Sequence, residues 1–102
     1  MTKYTLYVGL NDKDTHVQKI SVLEAAKMVM NIVLSHTDGA TIYEADGIYK
    51  HDDGTVVVEK SLKVELLFIE RKAVTAIVDL IKTVLNQESV IIQTSEIVSE
   101  LA

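Results

Sequence analysis

The chain has 102 residues, a formal net charge of −5 and no cysteine. This length allows one domain with one core, spanning residues 1–102. The missing cysteine excludes disulfides and thiolate metal sites. The ten basic residues are scattered, so the chain lacks the basic stripe with which proteins neutralise nucleic-acid phosphates. We therefore expect no nucleic-acid partner, and no motif indicates a cofactor.

The N-terminus has neither the basic segment nor the apolar core of a signal peptide. No apolar stretch approaches the roughly 18 residues that are needed to span a bilayer. These features predict a cytoplasmic protein without a membrane partner. Hydrophobic residues make up 48% of the chain although aromatic residues make up only 5%. Because a small domain has much surface for its volume, this aliphatic surplus favours a homo-oligomer over a monomer.

Apolar residues alternate with polar ones over residues 3–10, which predicts a first strand. A polar loop follows. Ser21 and Glu24 then form an S-x-x-E capping box, which predicts the start of a helix that runs to about His36. Apolar residues surround almost the whole of this helix, so we expect it to be buried on more than one side.

Residues 40–49 predict a second strand, with a bend or bulge at Asp46-Gly47. Residues 55–69 predict a third strand after a tight turn. A strand of that length spans about 50 Å, which is more than so small a domain needs. Part of this hairpin should therefore project from the domain or bend sharply near Lys60.

A second helix is predicted over residues 71–86 and a fourth strand over residues 89–94. The order βαββαβ predicts an α+β fold of the ferredoxin-like type. In that sandwich two helices cover one face of a four-stranded antiparallel sheet, and the second and third strands form a long hairpin. The other face should carry Tyr7, Tyr43 and further apolar side chains, which again favours a partner.

Two short clusters resemble metal sites but are better explained otherwise. Asp12, Asp14 and His16 alternate in one loop, yet the glycine and glutamate positions of a calcium-binding loop are not met. The cluster at His51 to Asp53 matches the residues that turns select for conformational reasons. We interpret the first as a solvated acidic loop and the second as a hairpin turn, and we predict no metal site.

Polar residues that interrupt or join apolar strands are the candidates for ligand binding. Glu59 and Lys60 interrupt the third strand, and Lys60 has the parity of the core residues, so it marks a pocket, a bulge or the start of a projecting segment. Gln87 and Glu88 join the second helix to the fourth strand, close to the hairpin. With Tyr43 on the open sheet face, these residues define the predicted ligand pocket between subunits.

Sequence patterns for catalysis are missing. The chain has no G-x-S-x-G, no H-E-x-x-H and no glycine-rich phosphate loop. Acid–base chemistry by carboxylates, tyrosine or histidine stays open. The leading hypothesis is a non-enzymatic binding or regulatory protein. The alternatives are a small dimeric enzyme of the α+β-barrel type, with a cavity between sheet and helices, and a purely structural protein that only assembles or docks.

Four segments together resemble a bacterial and phage domain family of unknown function, over about residues 4–94. They are the stretches 4–10, 46–49 with 53–57, 59–62 and 86–90. The long hairpin, Glu59 in its return strand and the turn at Gln87-Glu88 are also similar to the CutA and PII signalling superfamily. That likeness implies a trimer with small-molecule or nucleotide sites between subunits. The phage occurrence of the first family suggests one specific role, the sequestration of a small signalling nucleotide.

Overall fold

The computed structural model describes all residues from 1 to 102 and contains six regular elements. In chain order they are β1 (Thr2–Gly9), α1 (Val22–Leu34), β2 (Thr41–Lys50), β3 (Val56–Leu66), α2 (Arg71–Val84) and β4 (Ile91–Glu96). The strands form one antiparallel sheet in the order β2-β3-β1-β4. The expected ferredoxin-like βαββαβ layout is confirmed. Neither helix is long and apolar enough to cross a membrane.

The core lies between the sheet and the two helices. Fifteen buried apolar residues form one cluster, drawn from β1, β3, α1 and α2. Leu6 and Leu62 on neighbouring strands are fully buried, as is Ile77 of α2. Of the four main cavities, only one borders a residue of this cluster, Val33 at its margin. An enzyme of the α+β-barrel type needs a cavity between sheet and helices, and that space is filled.

The hairpin of β2 and β3 projects from the domain without a bulge. Its register is continuous over ten residue pairs, from Thr41 opposite Glu65 to Lys50 opposite Val56. The bulge expected at Asp46-Gly47 is therefore absent. β1 pairs with β3 only from Ser61 onward, so the first half of β3 extends past the core. The longest dimension of the chain, 47 Å against 24 and 23 Å, reflects this projection.

The third strand ends earlier than its apolar pattern predicts. β3 stops at Leu66, and Phe68 takes a positive φ of 55° and is exposed. An L-residue in the left-handed region cannot continue a strand. The apolar parity therefore carried the predicted strand, which ends at residue 69, three residues past the observed end of β3.

α1 begins as expected and is buried less than expected. The Ser21 hydroxyl accepts a hydrogen bond from the Glu24 backbone N–H at 3.1 Å, as in a capping box. Only one stripe of the helix is buried, however, and Leu23 and Leu34 remain 63% and 55% exposed. The prediction that α1 is buried on more than one side is therefore wrong for the single chain.

The open face of the sheet is more polar than the sequence analysis expected. Direct cross-strand partners share a face, and the register places Lys3, Glu65 and Gln93 there beside Tyr7 and Tyr43. The hydrophobic surplus lies elsewhere. It is exposed on α1 and on the helix side of the projecting hairpin, at Ile48, Val56 and Val58.

Candidate functional site

A cavity of about 630 Å³ lies where the base of the projecting hairpin meets two loops. Its floor is the open face of the sheet at Gly9, Gly47 and Glu59. One wall is the loop between β1 and α1, which contributes Asn11, and the other is the turn between α2 and β4, which contributes Glu88. We call this space the Glu59 cavity. Its volume is within the range of ordinary small-molecule sites.

Glu59 is placed in this cavity by its strand and by two glycines. It lies on β3 directly opposite Gly47, and its side chain crosses the neighbouring strand above Gly9. A Cβ atom on Gly9 would lie 2.7 Å from Glu59 Oε1, which is well inside van der Waals contact. The missing side chain of Gly9 therefore provides the room that the carboxylate occupies.

The Glu59 carboxylate is only partly satisfied within the chain. Its Oε2 accepts a hydrogen bond from the Asn11 backbone N–H at 2.9 Å, while Oε1 accepts none. Glu59 forms no ion pair. One oxygen of a charged group thus remains available to a ligand, in a half-buried position where such an interaction is stronger than in bulk water.

The turn between α2 and β4 forms a second wall. Asn86 has a positive φ of 50°, and the Gln87 backbone N–H donates to Lys82 O at 2.9 Å, so the helix ends in a Schellman-type cap. The Gln87 side chain does not face an unoccupied space, because its Nε2 donates to Asn11 O at 2.8 Å. Glu88 follows, exposed and without an ion pair, at the edge of the cavity.

The loop between β1 and α1 is organised by Asp12. Although this side chain is only 7% exposed, it accepts hydrogen bonds from the Asp14 and Thr15 backbone N–H groups and from Asn86 Nδ2. The hydrogen bond from Asn86 is the main cause that holds the pKa of Asp12 far below its usual range. Both oxygens are thereby committed, and the structure contains no group of three potential metal ligands.

Aromatic side chains of β2 and β1 complete the lining. Tyr49 and His51 form an edge-to-face pair with ring centroids 5.4 Å apart, and Tyr7 lies on the sheet floor nearby. The turn beyond His51 is a conventional hairpin turn, as expected. Gly54 has a φ of 90°, and Asp53 Oδ1 accepts from the Thr55 N–H. That hydrogen bond is the main cause that lowers the pKa of Asp53.

The structure brings together three of the five residues that the sequence analysis selected. Glu59, Gln87 and Glu88 line the Glu59 cavity, and their binding roles stay predictions. Lys60 points to the opposite face, where its Nζ lies 2.8 Å from Asp46 Oδ1, so it marks the start of the projecting segment. Tyr43 lies outside the cavity and donates its hydroxyl proton to Glu65 Oε1 at 2.8 Å.

The sequence analysis missed Asn11, Tyr49 and His51. Strand parity alone could have found Tyr49, because it shares the open face with Glu59 two residue pairs beyond the Gly47 pairing. Asn11 acts through its backbone N–H, which no residue-type pattern reveals. The lining contains four carboxylate residues, Asp12, Asp46, Glu59 and Glu88. Glu59 and Glu88 are the two without an ion pair, and they leave the cavity suited to a ligand that carries positive charge or hydrogen-bond donors.

Comparisons with known proteins assign a family. Residues 3–100 match the model of the family described as Protein of unknown function (DUF3574), and the chain belongs to that family. The expected membership in a family of unknown function is therefore confirmed. The comparison with curated proteins finds no match.

Several solved structures share the fold. A phage SAM lyase in complex with S-methyl-5'-thioadenosine is 22% identical, with a TM-score of 0.69 over 93% of this chain and 80% of that chain. CutA from Archaeoglobus fulgidus is 13% identical, with a TM-score of 0.55 over 99% and 88% of the two chains. A DUF3240 family protein from Shewanella baltica is 6% identical, with a TM-score of 0.56 over 99% and 94%. At these identities the likeness shows the fold, and it confirms the expected similarity to CutA.

Proposed function

We propose that this DUF3574 protein binds a small adenosine-type nucleoside with a positively charged sulfur, of the S-adenosylmethionine kind, in the Glu59 cavity. The observation that carries the proposal is the pairing of a half-satisfied carboxylate, Glu59, with aromatic rings at Tyr7, Tyr49 and His51. The phage SAM lyase of the same fold holds S-methyl-5'-thioadenosine, which supports a ligand of this class.

The chemistry of the cavity fits two groups of such a molecule, the sulfonium and the purine ring. A sulfonium is a permanent cation, and Glu59 and Glu88 present carboxylates without an ion pair inside the chain. A purine ring stacks on aromatic faces and tolerates a range of ring orientations. Because the neutral thioether lacks the charge, S-methyl-5'-thioadenosine should bind more weakly than S-adenosylmethionine.

The protein acts as a homo-oligomer in this proposal, with the trimer favoured. The exposed apolar side chains of α1 and of the projecting hairpin are the surfaces that a second copy would cover. The Glu59 cavity lies at the base of that hairpin on the opposite face of the sheet, so a subunit packed on these apolar side chains would support the hairpin from behind the cavity. The cytoplasmic location expected from the sequence fits a nucleoside of this kind.

Isothermal titration calorimetry with the purified chain tests the proposal, using S-adenosylmethionine and S-methyl-5'-thioadenosine as ligands. We expect Glu59→Gln to weaken the sulfonium ligand roughly tenfold to a hundredfold, as for the loss of a charge-assisted interaction worth about 1.5–3 kcal/mol. The affinity for the neutral thioether should fall much less in this variant. Glu44→Gln is the matched control, because Glu44 lies on β2 outside the cavity.

Absence of binding by the unmodified chain would reject the proposed ligand class. If Glu59→Gln lost the same factor in affinity for both ligands, the role of Glu59 as the partner of the cation would be rejected. Native mass spectrometry of the same sample reports the subunit number together with any retained ligand. A bare monomer in the presence of ligand would reject the oligomeric part of the proposal.

A second candidate function is cleavage of the same ligand, favoured by the free Oε1 of Glu59 in the cavity. The bond between the sulfonium and the four-carbon chain would break with both electrons moving to sulfur, which releases the neutral thioether. In the same step the carboxylate of the four-carbon fragment would form a bond to the carbon that leaves sulfur, which gives a lactone. In the alternative, Glu59 would take a proton from the neighbouring carbon as the C–S bond breaks, which gives a double bond. Chromatography of the incubation mixture decides between the candidates, because cleavage by the protein produces S-methyl-5'-thioadenosine faster than the same incubation without protein.

A further inference from the structure

Asn86 occupies a position where a helix commonly ends in glycine. Its φ of 50° is in the left-handed region, and the backbone hydrogen bonds of the cap are made by Asn86 N–H and Gln87 N–H. Glycine would satisfy these backbone requirements without strain. The cap therefore does not explain why a side chain with two N–H donors is present.

The Asn86 side chain joins the turn to the loop between β1 and α1. Its Nδ2 donates to Asp12 Oδ1 at 2.8 Å and to Asp14 Oδ2 at 2.9 Å. The backbone adds a parallel contact, since Lys13 N–H donates to Asn86 O at 3.1 Å. One amide group thus uses both of its protons on two carboxylates of the opposite wall, and hydrogen bonds to charged acceptors are the stronger kind.

The connection continues to the carboxylate in the cavity. Residue 11 begins the same loop, and its backbone N–H is the group that holds Glu59 Oε2. Glu88 lies two residues beyond Asn86 on the facing wall. The separation of Glu59 and Glu88 therefore depends on how firmly the loop is fixed to the turn.

We propose that Asn86 is a positioning residue, whose amide bridge to Asp12 and Asp14 sets the spacing of Glu59 and Glu88 for the ligand. This inference rests on the proposed function and identifies which residue prepares the cavity before the ligand arrives. Among the residues that tolerate the left-handed conformation, glycine cannot form the bridge. Aspartate would place a third carboxylate against two others.

The decisive variant is Asn86→Gly, because it removes the bridge and keeps the backbone conformation. We expect a lower melting temperature, because nearly buried Asp12 loses a hydrogen bond, and faster amide hydrogen exchange of residues 11–15. Binding of S-adenosylmethionine, measured well below the melting transition, should be roughly tenfold weaker. Asn86→Asp should raise the exchange further, by an amount that added salt reduces. Thr75→Ala is the control, since it removes a side-chain hydrogen bond of α2 far from the loop.

Exchange in the ligand-free protein separates this inference from the proposed function. Wild-type exchange of residues 11–15 and wild-type affinity in Asn86→Gly would overturn the positioning role. Affinity that falls only in step with the melting temperature would overturn it as well, because the role would then be one of stability. If the unmodified chain binds neither nucleoside, the proposed function fails, and the exchange rates alone decide whether Asn86 fixes the loop.

Discussion

Glu59 and Glu65 lie on the same strand and the same face of the sheet, yet their surroundings differ. Glu65 accepts hydrogen bonds on both oxygens, from Lys3 Nζ at 2.9 Å and from the Tyr43 hydroxyl at 2.8 Å. The hydrogen bond from Lys3 is the main cause that lowers the pKa of Glu65. Glu59 has one backbone donor and one free oxygen.

The difference shows that one carboxylate stabilises the sheet and the other faces a cavity. Glu65 is neutralised by Lys3 and is fixed by Tyr43, so it contributes to the sheet and has little left for a ligand. Glu59 is held above glycines at Gly9 and Gly47 and faces a cavity. A charged group kept partly unpaired at the base of a cavity is a common property of binding and catalytic sites.

The largest effect that we predict comes from Gly9→Ala. The added Cβ would lie 2.7 Å from the Glu59 carboxylate, and the carboxylate must move because the backbone of the central strand cannot. We expect a loss of about a hundredfold in affinity for S-adenosylmethionine, equal to about 2.7 kcal/mol. Because the contact is with the end of a flexible side chain, the free energy of unfolding should fall by about 1 kcal/mol or less.

Gly39→Ala is the matched control, since nothing lies within 4 Å of a Cβ atom there. It should bind the nucleoside as the unmodified chain does. If Gly9→Ala kept its affinity in calorimetry, the position of the Glu59 carboxylate above Gly9 would not matter for the ligand, and the contrast with Glu65 would lose its functional meaning.

In contrast to Gly9→Ala, a substitution at Glu65 should lower the stability of the fold and leave ligand binding unchanged. Glu65→Gln removes the charge that attracts Lys3 and keeps an acceptor for Tyr43. For a partly buried ion pair, with 30% and 19% of the side chains exposed, we expect the free energy of unfolding to fall by about 0.3–1 kcal/mol, with nucleoside affinity unchanged. Urea denaturation of Glu65→Gln, Lys3→Ala and the double variant measures the coupling. A coupling energy of zero would show that the pair is not stabilising.

Acid should remove the stabilisation that Glu65 provides. The folded-state pKa of Glu65 is below its usual value, with Lys3 as the main cause. The stabilisation is therefore fully present above the unfolded pKa of about 4.3. It is lost as the pH falls through the folded-state pKa. The stability difference between the unmodified chain and Glu65→Gln should stay constant down to about pH 5 and shrink as the pH falls further through the folded-state pKa, as urea denaturation at each pH measures. A constant difference would contradict the assigned ion pair.

Much of the fold could be predicted from residue patterns because burial imposes them. The alternation in β1 and in the second half of β3 follows from one face that packs on helices, and it placed the strands within a few residues. The pattern fails where burial ends. Val56 and Val58 keep the core parity and are exposed, because the projecting hairpin has no helix beneath it.

The candidate site was less predictable because it depends on contacts between distant segments. Glu59 was identified as a polar residue inside an apolar strand, and Glu88 as a polar residue beside the hairpin. Gln87 was selected on the same ground, and its side chain instead fixes the Asn11 carbonyl. The roles of Asn11 and Asn86 depend on a backbone N–H and a left-handed turn, which residue types do not reveal.

The smallest effect that we predict tests the neighbour of Glu59 in the sequence. Lys60 and Asp46 form an ion pair with 55% and 56% of their side chains exposed, on the face away from the Glu59 cavity. Lys60→Ala should lower the free energy of unfolding by at most about 0.5 kcal/mol and leave nucleoside affinity unchanged, as denaturation and calorimetry measure. Adjacent strand residues face opposite sides. A loss of affinity without a change in oligomer mass would therefore mean that the ligand extends around the hairpin, where a neighbouring subunit is proposed to pack.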